Sequence, residues 1–181
     1  MRVISGKYKG RTIECPKGNR IRPTSDMVRS AVYNILNNFV DWENANLLDV
    51  FCGTGAFGIE ALSRGAKFVG FIDNHRESVE FTKKNLQRIH TENNTYVYSY
   101  DATQLPKADR AYDVIFIDPP YNSGLIGKVL NGLKNGGWIN AGARIILEES
   151  DKENVGAMPG FKVVNDRRYG NTKLYILEQE V

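Results

Sequence analysis

The sequence predicts one α/β domain with a mostly parallel, doubly wound sheet and a short basic extension at its amino end. Three observations carry this reading. From Asn46 onward, apolar runs of strand length alternate with amphipathic segments of helix length, the pattern of successive βα units. A glycine-rich turn, Gly53-Thr54-Gly55-Ala56-Phe57-Gly58, follows the first of those runs and precedes a helix. The run Val114-Ile115-Phe116-Ile117 reads as a fully buried strand and stops at Asp118-Pro119-Pro120-Tyr121. Two prolines without N–H groups cannot continue a ladder, so the chain must leave the sheet there.

A chain of 181 residues is long enough for a real core and short enough to be one domain, with at most a small appendage. No apolar run approaches the ~20 residues of a membrane span, and the amino end lacks a signal-peptide core. A cytoplasmic protein is expected. Cys15 and Cys52 lie in unlike contexts and read as free thiols of a reducing compartment. Charge is uneven: residues 1–29 carry +6 and the remainder −3. Such asymmetry suits a basic face for a polyanion, although a solvated charged surface has the same composition.

Taken in order, Arg2-Val3-Ile4-Ser5 and Arg11-Thr12-Ile13-Glu14 flank Gly6-Lys7-Tyr8-Lys9-Gly10 as a β-hairpin. A helix is expected to start with Thr24 or Ser25 as N-cap. Val28, Ala31, Val32, Ile35, Leu36 and Phe39 form its core stripe, leaving Asp26, Arg29, Ser30, Tyr33 and Asn37 on the opposite face. The domain boundary is placed at 23/24, with a basic β-hairpin extension over 1–23 and the main domain over 24–181. Strands follow at 47–51, 67–73, 96–100, 112–117 and 144–148, with helices at 59–64, 75–90 and 125–133. Segments 161–166 and 173–178 close the sheet as an antiparallel pair joined through 167–171, for seven strands in all.

The glycine turn fits two cofactors. Gly53, Gly55 and Gly58, with Asp73 about 20 residues on at the end of the next strand, match a dinucleotide fingerprint. S-adenosylmethionine demands nearly the same parts, since it too presents an adenosine. Asp49, four residues before Gly53, separates the two: it would repel a pyrophosphate and attract a sulfonium and an amino group. Asp101, at the end of the third strand, adds an acceptor suited to the adenine amine. Three carboxylates around one pocket favour the cationic ligand. For Asp73 or Asp101 alone, turn or helix capping is an adequate explanation.

Asp118, Pro119, Pro120 and Tyr121 suit the activation of an exocyclic base amine. Such an amine is a poor nucleophile because its lone pair is delocalised into the ring. Acceptors on its N–H groups, here Asp118 and the Pro119 carbonyl, favour the pyramidal geometry that methyl transfer needs. Tyr121 would stack on the extruded base. A Pro-Pro turn with tyrosine as a lid is the simpler alternative. His75 and His90 fall at opposite ends of one helix and cannot share a metal, so none is expected. Neither cysteine has the surroundings of an activated nucleophile.

These stretches resemble a known family. Arg2-Val3-Ile4-Ser5-Gly6 with Gly10-Arg11, Arg22-Pro23-Thr24-Ser25-Asp26 leading to Arg29, Leu48-Asp49-Val50-Phe51-Cys52-Gly53-Thr54-Gly55 through Glu60-Ala61-Leu62-Ser63-Arg64-Gly65-Ala66, and Asp113 through Tyr121 are similar to bacterial 16S rRNA guanine-N2 methyltransferases of the RsmD family. The resemblance runs over nearly the whole chain. The last motif is shared by many amino-directed methyltransferases, and the amino-terminal part is the more specific. The resemblance implies a Rossmann-like class I methyltransferase, a monomer that uses S-adenosylmethionine on one guanine of 16S rRNA in the small ribosomal subunit. It implies cofactor contacts at Asp49, Phe51, Cys52, Gly53, Thr54 and Gly55, at Asp73 with Asn74, and at Asp101 with Ala102. The catalytic segment is then 118–121. Lys7, Tyr8, Lys9, Arg11, Arg20, Arg22 and Arg29 become RNA contacts, with Arg167, Arg168 and Tyr169 as a further contact or a solvated turn. Where the family usually has Arg-Glu, this chain has Arg29-Ser30, so a role that the glutamate plays by charge is closed to Ser30. Two rivals remain: an amino methyltransferase of another nucleic acid, such as adenine-N6 of DNA, and a non-catalytic ribosome-assembly factor. The first lacks a target-recognition domain here, and the intact acids argue against the second.

Overall fold

The computed structural model describes residues 1–16, 25–120, 123–152, 155–156 and 158–180. Arg20, Arg22 and Tyr121 therefore lie outside the described residues. The elements run α1 (Asp26–Leu36), β1 (Asn46–Val50), α2 (Ala56–Ser63), β2 (Phe68–Ile72), α3 (Arg76–Ile89), β3 (Thr95–Tyr98), β4 (Tyr112–Ile117), α4 (Ile126–Gly136), β5 (Ile139–Ser150), β6 (Phe161–Tyr169) and β7 (Thr172–Gln179). The strands form one seven-stranded sheet in the order β3-β2-β1-β4-β5-β7-β6. β1 to β5 pair in parallel, and β7 runs antiparallel to both its neighbours. The expected mostly parallel sheet with one antiparallel strand is what forms.

Burial on both faces explains the unbroken apolar runs. Along β4, Val114 and Phe116 enter one cluster with Val28, Val32, Phe57, Ile59 and Leu86. Ile115 and Ile117 enter another on the opposite face with Val129, Leu130, Leu133 and Trp138 from and beside α4. Gly58 lies inside α2, and a Cβ there would come within 2.3 Å of the Phe71 ring on β2. The third glycine thus permits close helix–strand packing, and α2 starts at Ala56, three residues earlier than expected.

Four further expectations change. Ser25 does cap α1, accepting from the Val28 amide, but the buried face is Val28, Arg29, Val32, Tyr33 and Leu36. Arg29 and Tyr33 were expected on the free face, and Phe39 in the core; Phe39 lies past the helix and is 64% exposed. The face turns because Arg29 donates to the Arg2 carbonyl at 2.7 Å and Tyr33 to the Phe57 carbonyl at 2.6 Å. The amino-terminal hairpin shrinks to one antiparallel bridge, Arg2 with Thr12, around a turn. β6 extends through Arg167, Arg168 and Tyr169, leaving only Gly170-Asn171 as the turn, with Gly170 at φ 60°. β5 is longer at both ends than the apolar core Arg144–Glu148.

Residues 1–16 pack onto this domain. Val3 and Ile13 join the α2-side cluster. The Ile4 and Ser5 amides donate to the two oxygens of Glu60, at 2.8 and 2.9 Å, and Lys7 and Tyr8 amides donate to the carbonyl and hydroxyl of Ser63. Glu60 is buried and also paired with Arg64 at 3.0 Å. Among the described residues no helix is long and apolar enough to cross a membrane.

Candidate active site

The sheet order reverses between β1 and β4, and the crevice beyond the carboxyl ends of such strands is where open α/β sheets bind ligands. Val50 on β1 is aligned with Ile72 on β2 and Ile117 on β4. The next residues on the three strands are Phe51, Asp73 and Asp118, so these side by side strand ends bring two acids together around the glycine turn.

That turn is held from several sides. Phe51 has φ 61°, a left-handed conformation that bulky residues seldom adopt; observed strain of this kind clusters at functional sites. The Gly55 amide donates to the Cys52 carbonyl at 2.8 Å, and Gly55 itself, at φ 76°, is the N-cap of α2. Asp73 accepts the Gly53 amide on one oxygen at 3.0 Å and the His75 amide on the other at 2.9 Å. From α3, Thr82 donates to the Gly53 carbonyl and Asn85 to the Thr54 carbonyl, each at 3.0 Å. Neither Thr82 nor Asn85 was singled out from sequence. The signal was present: buried Ser78, Val79, Thr82, Asn85, Leu86 and Ile89 make one helical stripe in which polar residues occupy core positions.

Asp49, 2% exposed, accepts the Gly58 amide at 2.9 Å. Burial pushes its carboxyl well above the usual carboxylate range; the Gly58 hydrogen bond opposes this, while Asp118 and Asp73 add to it. Burial, with Asp49 and Asp73, likewise pushes the Cys52 thiol up, so it stays protonated and is no nucleophile. Asp118 is half-buried beside buried Pro119 and exposed Pro120. Asp101 is exposed, past the end of β3, and accepts from the Thr103 hydroxyl and amide at 2.7 and 2.8 Å, which hold its carboxyl below the usual range. Ala102 beside it is buried, and Asn74 is exposed. Asp49, disfavoured as an anion by burial first and by Asp118 and Asp73 second, is a group that a cationic ligand relieves. The residues present fit the sulfonium and amino groups of S-adenosylmethionine, and Asp73 keeps acceptor capacity for ribose hydroxyls.

The basic residues divide. Lys7, Lys9 and Arg11 are exposed on the docked turn, and the half-buried Tyr8 ring lies 5.4 Å from the Lys7 ammonium and 5.9 Å from the Arg11 guanidinium. Arg29 is a correction: at 0% exposure, bonded to Arg2 and Asp26, it cannot reach RNA and instead anchors the chain's amino end. No group of His, Cys, Asp and Glu among the described residues is arranged to hold a metal.

A family model described as conserved hypothetical protein 95 matches residues 1–178. The chain belongs to the conserved hypothetical protein 95 family. This is a family of S-adenosylmethionine-dependent methyltransferases, and its members' cofactor is this protein's cofactor. The chain is 34% identical over 154 residues to the ribosomal RNA small subunit methyltransferase D of Escherichia coli strain K12, covering 85% of this chain and 76% of that one. A protein of the same name from Buchnera aphidicola is also 34% identical over 154 residues, with 84% and 80% covered. The uncharacterized methylase RP545 of Rickettsia prowazekii is 25% identical over 228 residues, with 98% and 97% covered. Among solved structures, the putative methyltransferase yhhF from Escherichia coli superposes with a TM-score of 0.86 at 28% identity, covering 99% of this chain and 98% of that one. The sheet described above is the family's class I methyltransferase fold.

Proposed function

We propose that this family member methylates the exocyclic N2 of one guanine in small-subunit rRNA, acting as a cytoplasmic monomer on an assembled or assembling subunit. The observation that carries the reading is the convergence of Asp49, Asp73 and Asp118 at the β1/β4 switch point, with Pro119-Pro120 fixing the chain after Asp118. The 34% identity to proteins named ribosomal RNA small subunit methyltransferase D supports the choice of rRNA.

Bound S-adenosylmethionine supplies a methyl group made electrophilic by its sulfonium charge. Asp49 faces that charge, and Asp73 and Asp101 with Ala102 take the ribose and adenine. Asp118 and the Pro119 carbonyl accept the two N–H groups of the guanine amine, which directs its lone pair at the methyl carbon. Asp118 would receive the surplus N2 proton as the methyl passes to N2 and leaves the cofactor a neutral thioether. Tyr121 is assigned the stacking face for the base. Residues 1–23 serve as the RNA-binding extension, with Lys7, Lys9 and Arg11 on phosphates and Arg20 and Arg22 assigned the same role.

Incubation with labelled S-adenosylmethionine and undermethylated small subunits, free rRNA or DNA, followed by nucleoside identification, tests the proposal. N2-methylguanosine in 16S rRNA is the expected product. Label only in adenine of DNA, or in no nucleoside, rejects it.

A further inference from the structure

We infer that Asn85 is a positioning residue through which cofactor binding and RNA binding are energetically coupled. The inference rests on the proposed reading of the amino-terminal extension as the RNA clamp.

Asn85 sits on α3 at 2% exposure, between the amino-terminal extension and the glycine turn. Its carbonyl oxygen accepts the Glu14 amide at 2.8 Å, and its NH₂ donates to the Glu14 carbonyl and to the Thr54 carbonyl, each at 3.0 Å. Both N–H donors of the amide are thereby committed, one to the extension and one to the cofactor loop. Its helical neighbours each serve one side. Thr82, one turn earlier, bonds Gly53 of the loop. Arg88, one turn later, pairs with the Glu14 carboxylate, and its carbonyl accepts from Arg11 at 3.2 Å. Of these three, Asn85 alone reaches both.

A buried amide so constrained cannot follow one partner without straining its bond to the other. A ligand that fixes the Gly53-Thr54-Gly55 turn therefore fixes the Asn85 plane, and with it the Glu14 backbone that carries Arg11 and Lys9 just upstream. Linkage makes the effect reciprocal: RNA on the extension raises cofactor affinity by the same factor.

The test titrates S-adenosylhomocysteine into the protein, alone and with saturating undermethylated small subunits. About a 5-fold or larger gain in affinity with subunits present is expected for the wild type, within the usual range of coupling. In Asn85→Ala and Asn85→Asp the gain falls to within about twofold of unity while each ligand still binds. Thr82→Val weakens S-adenosylhomocysteine binding but keeps the gain, which a merely structural role for Asn85 does not predict. No gain in the wild type, or a full gain in both Asn85 variants, overturns the inference. Should those variants fail to fold, hydrogen exchange on the wild type decides: S-adenosylhomocysteine alone must slow exchange of the Glu14 amide, and an unchanged rate rejects the link. The clamp reading fails separately, if replacing Lys7, Lys9 and Arg11 by glutamine leaves subunit binding intact.

Discussion

The Asp49 carboxylate on β1 accepts the Gly58 amide of α2 at 2.9 Å, so a strand supplies the cap that the helix's own N-cap, Gly55, has no side chain to make. Helix amino ends favour an anion, yet this one is buried and neighboured by Asp73 and Asp118, and the net result is a carboxyl held well above its usual range. An acid in that condition responds to an arriving positive charge.

The response has a definite sign. Below its raised value Asp49 carries a proton that a cationic ligand must displace; above it the carboxylate is already ionised. Affinity for S-adenosylmethionine should therefore rise with pH through that value and then level off. Without ligand, the native state holds the Asp49 proton more tightly than the unfolded chain, so this group's contribution to stability falls as pH climbs from the ordinary carboxylate range through the raised value. Calorimetric titrations across the acid and neutral range should show a steeper profile for S-adenosylmethionine than for S-adenosylhomocysteine, and Asp49→Asn should flatten it. Identical profiles for wild type and variant would count against Asp49 as the partner of the sulfonium.

Replacing Asp118 by alanine should lower methyl transfer by about 10²-fold or more, the scale of losing one preorganised group at a reacting centre. Tyr121→Ala should do likewise by removing the stacking platform. Cofactor affinity should stay within a few-fold in both, measured by the same titrations. Full turnover in both variants removes the segment from the chemistry.

How much of this was legible beforehand follows from what each residue does. Asp49, Asp73 and Asp118 could be read because strand ends, glycines and prolines are local signals with fixed spacing. The inward turn of Arg29 and Tyr33 could not, because α1's burial depends on the amino-terminal chain and α2 lying over that face. β6 hid its length for a different reason: it is an edge strand whose middle is mostly exposed, so no apolar alternation marks Arg167 and Arg168 as strand. Asn85 stands in a helical stripe that marks it as a polar residue in the core, but its partners, 71 and 31 residues away, carry no local signal.

Neutralising Lys7, Lys9 and Arg11 should weaken subunit binding and flatten its dependence on salt, by roughly 0.7–0.9 in log–log slope for each phosphate left without its cation. Arg29→Met should behave differently. Its guanidinium is buried on the Arg2 carbonyl while its partner Asp26 is exposed, so the damage should fall on stability, about 1.5–3 kcal/mol from the lost charge-assisted hydrogen bond, with the salt slope unchanged. Filter binding over a salt series and thermal unfolding separate the two cases.

Two glycines of the extension share φ 81° but not their surroundings. A Cβ on Gly6 would lie 1.8 Å from the Ser63 carbonyl oxygen, whereas one on Gly10 meets nothing within 4 Å. Gly10→Ala should cost about 1 kcal/mol from backbone strain alone. Gly6→Ala should cost several times more, or release the extension from α2, read as faster exchange of the Lys7 and Tyr8 amides. Equal effects would mean that Gly6 does not sit tightly on Ser63 in solution.

The bonds that seat Ile4, Ser5, Lys7 and Tyr8 on Glu60 and Ser63 come from backbone amides, not from the side chains that the turn displays. Anchor and tip are thus separable. On the proposed clamp reading, the exposed Lys7 and Lys9 form an exchangeable probe on a fixed mount: their side chains can drift in evolution, or be rewritten in a library, to address a different polyanion while the backbone seat stays in place.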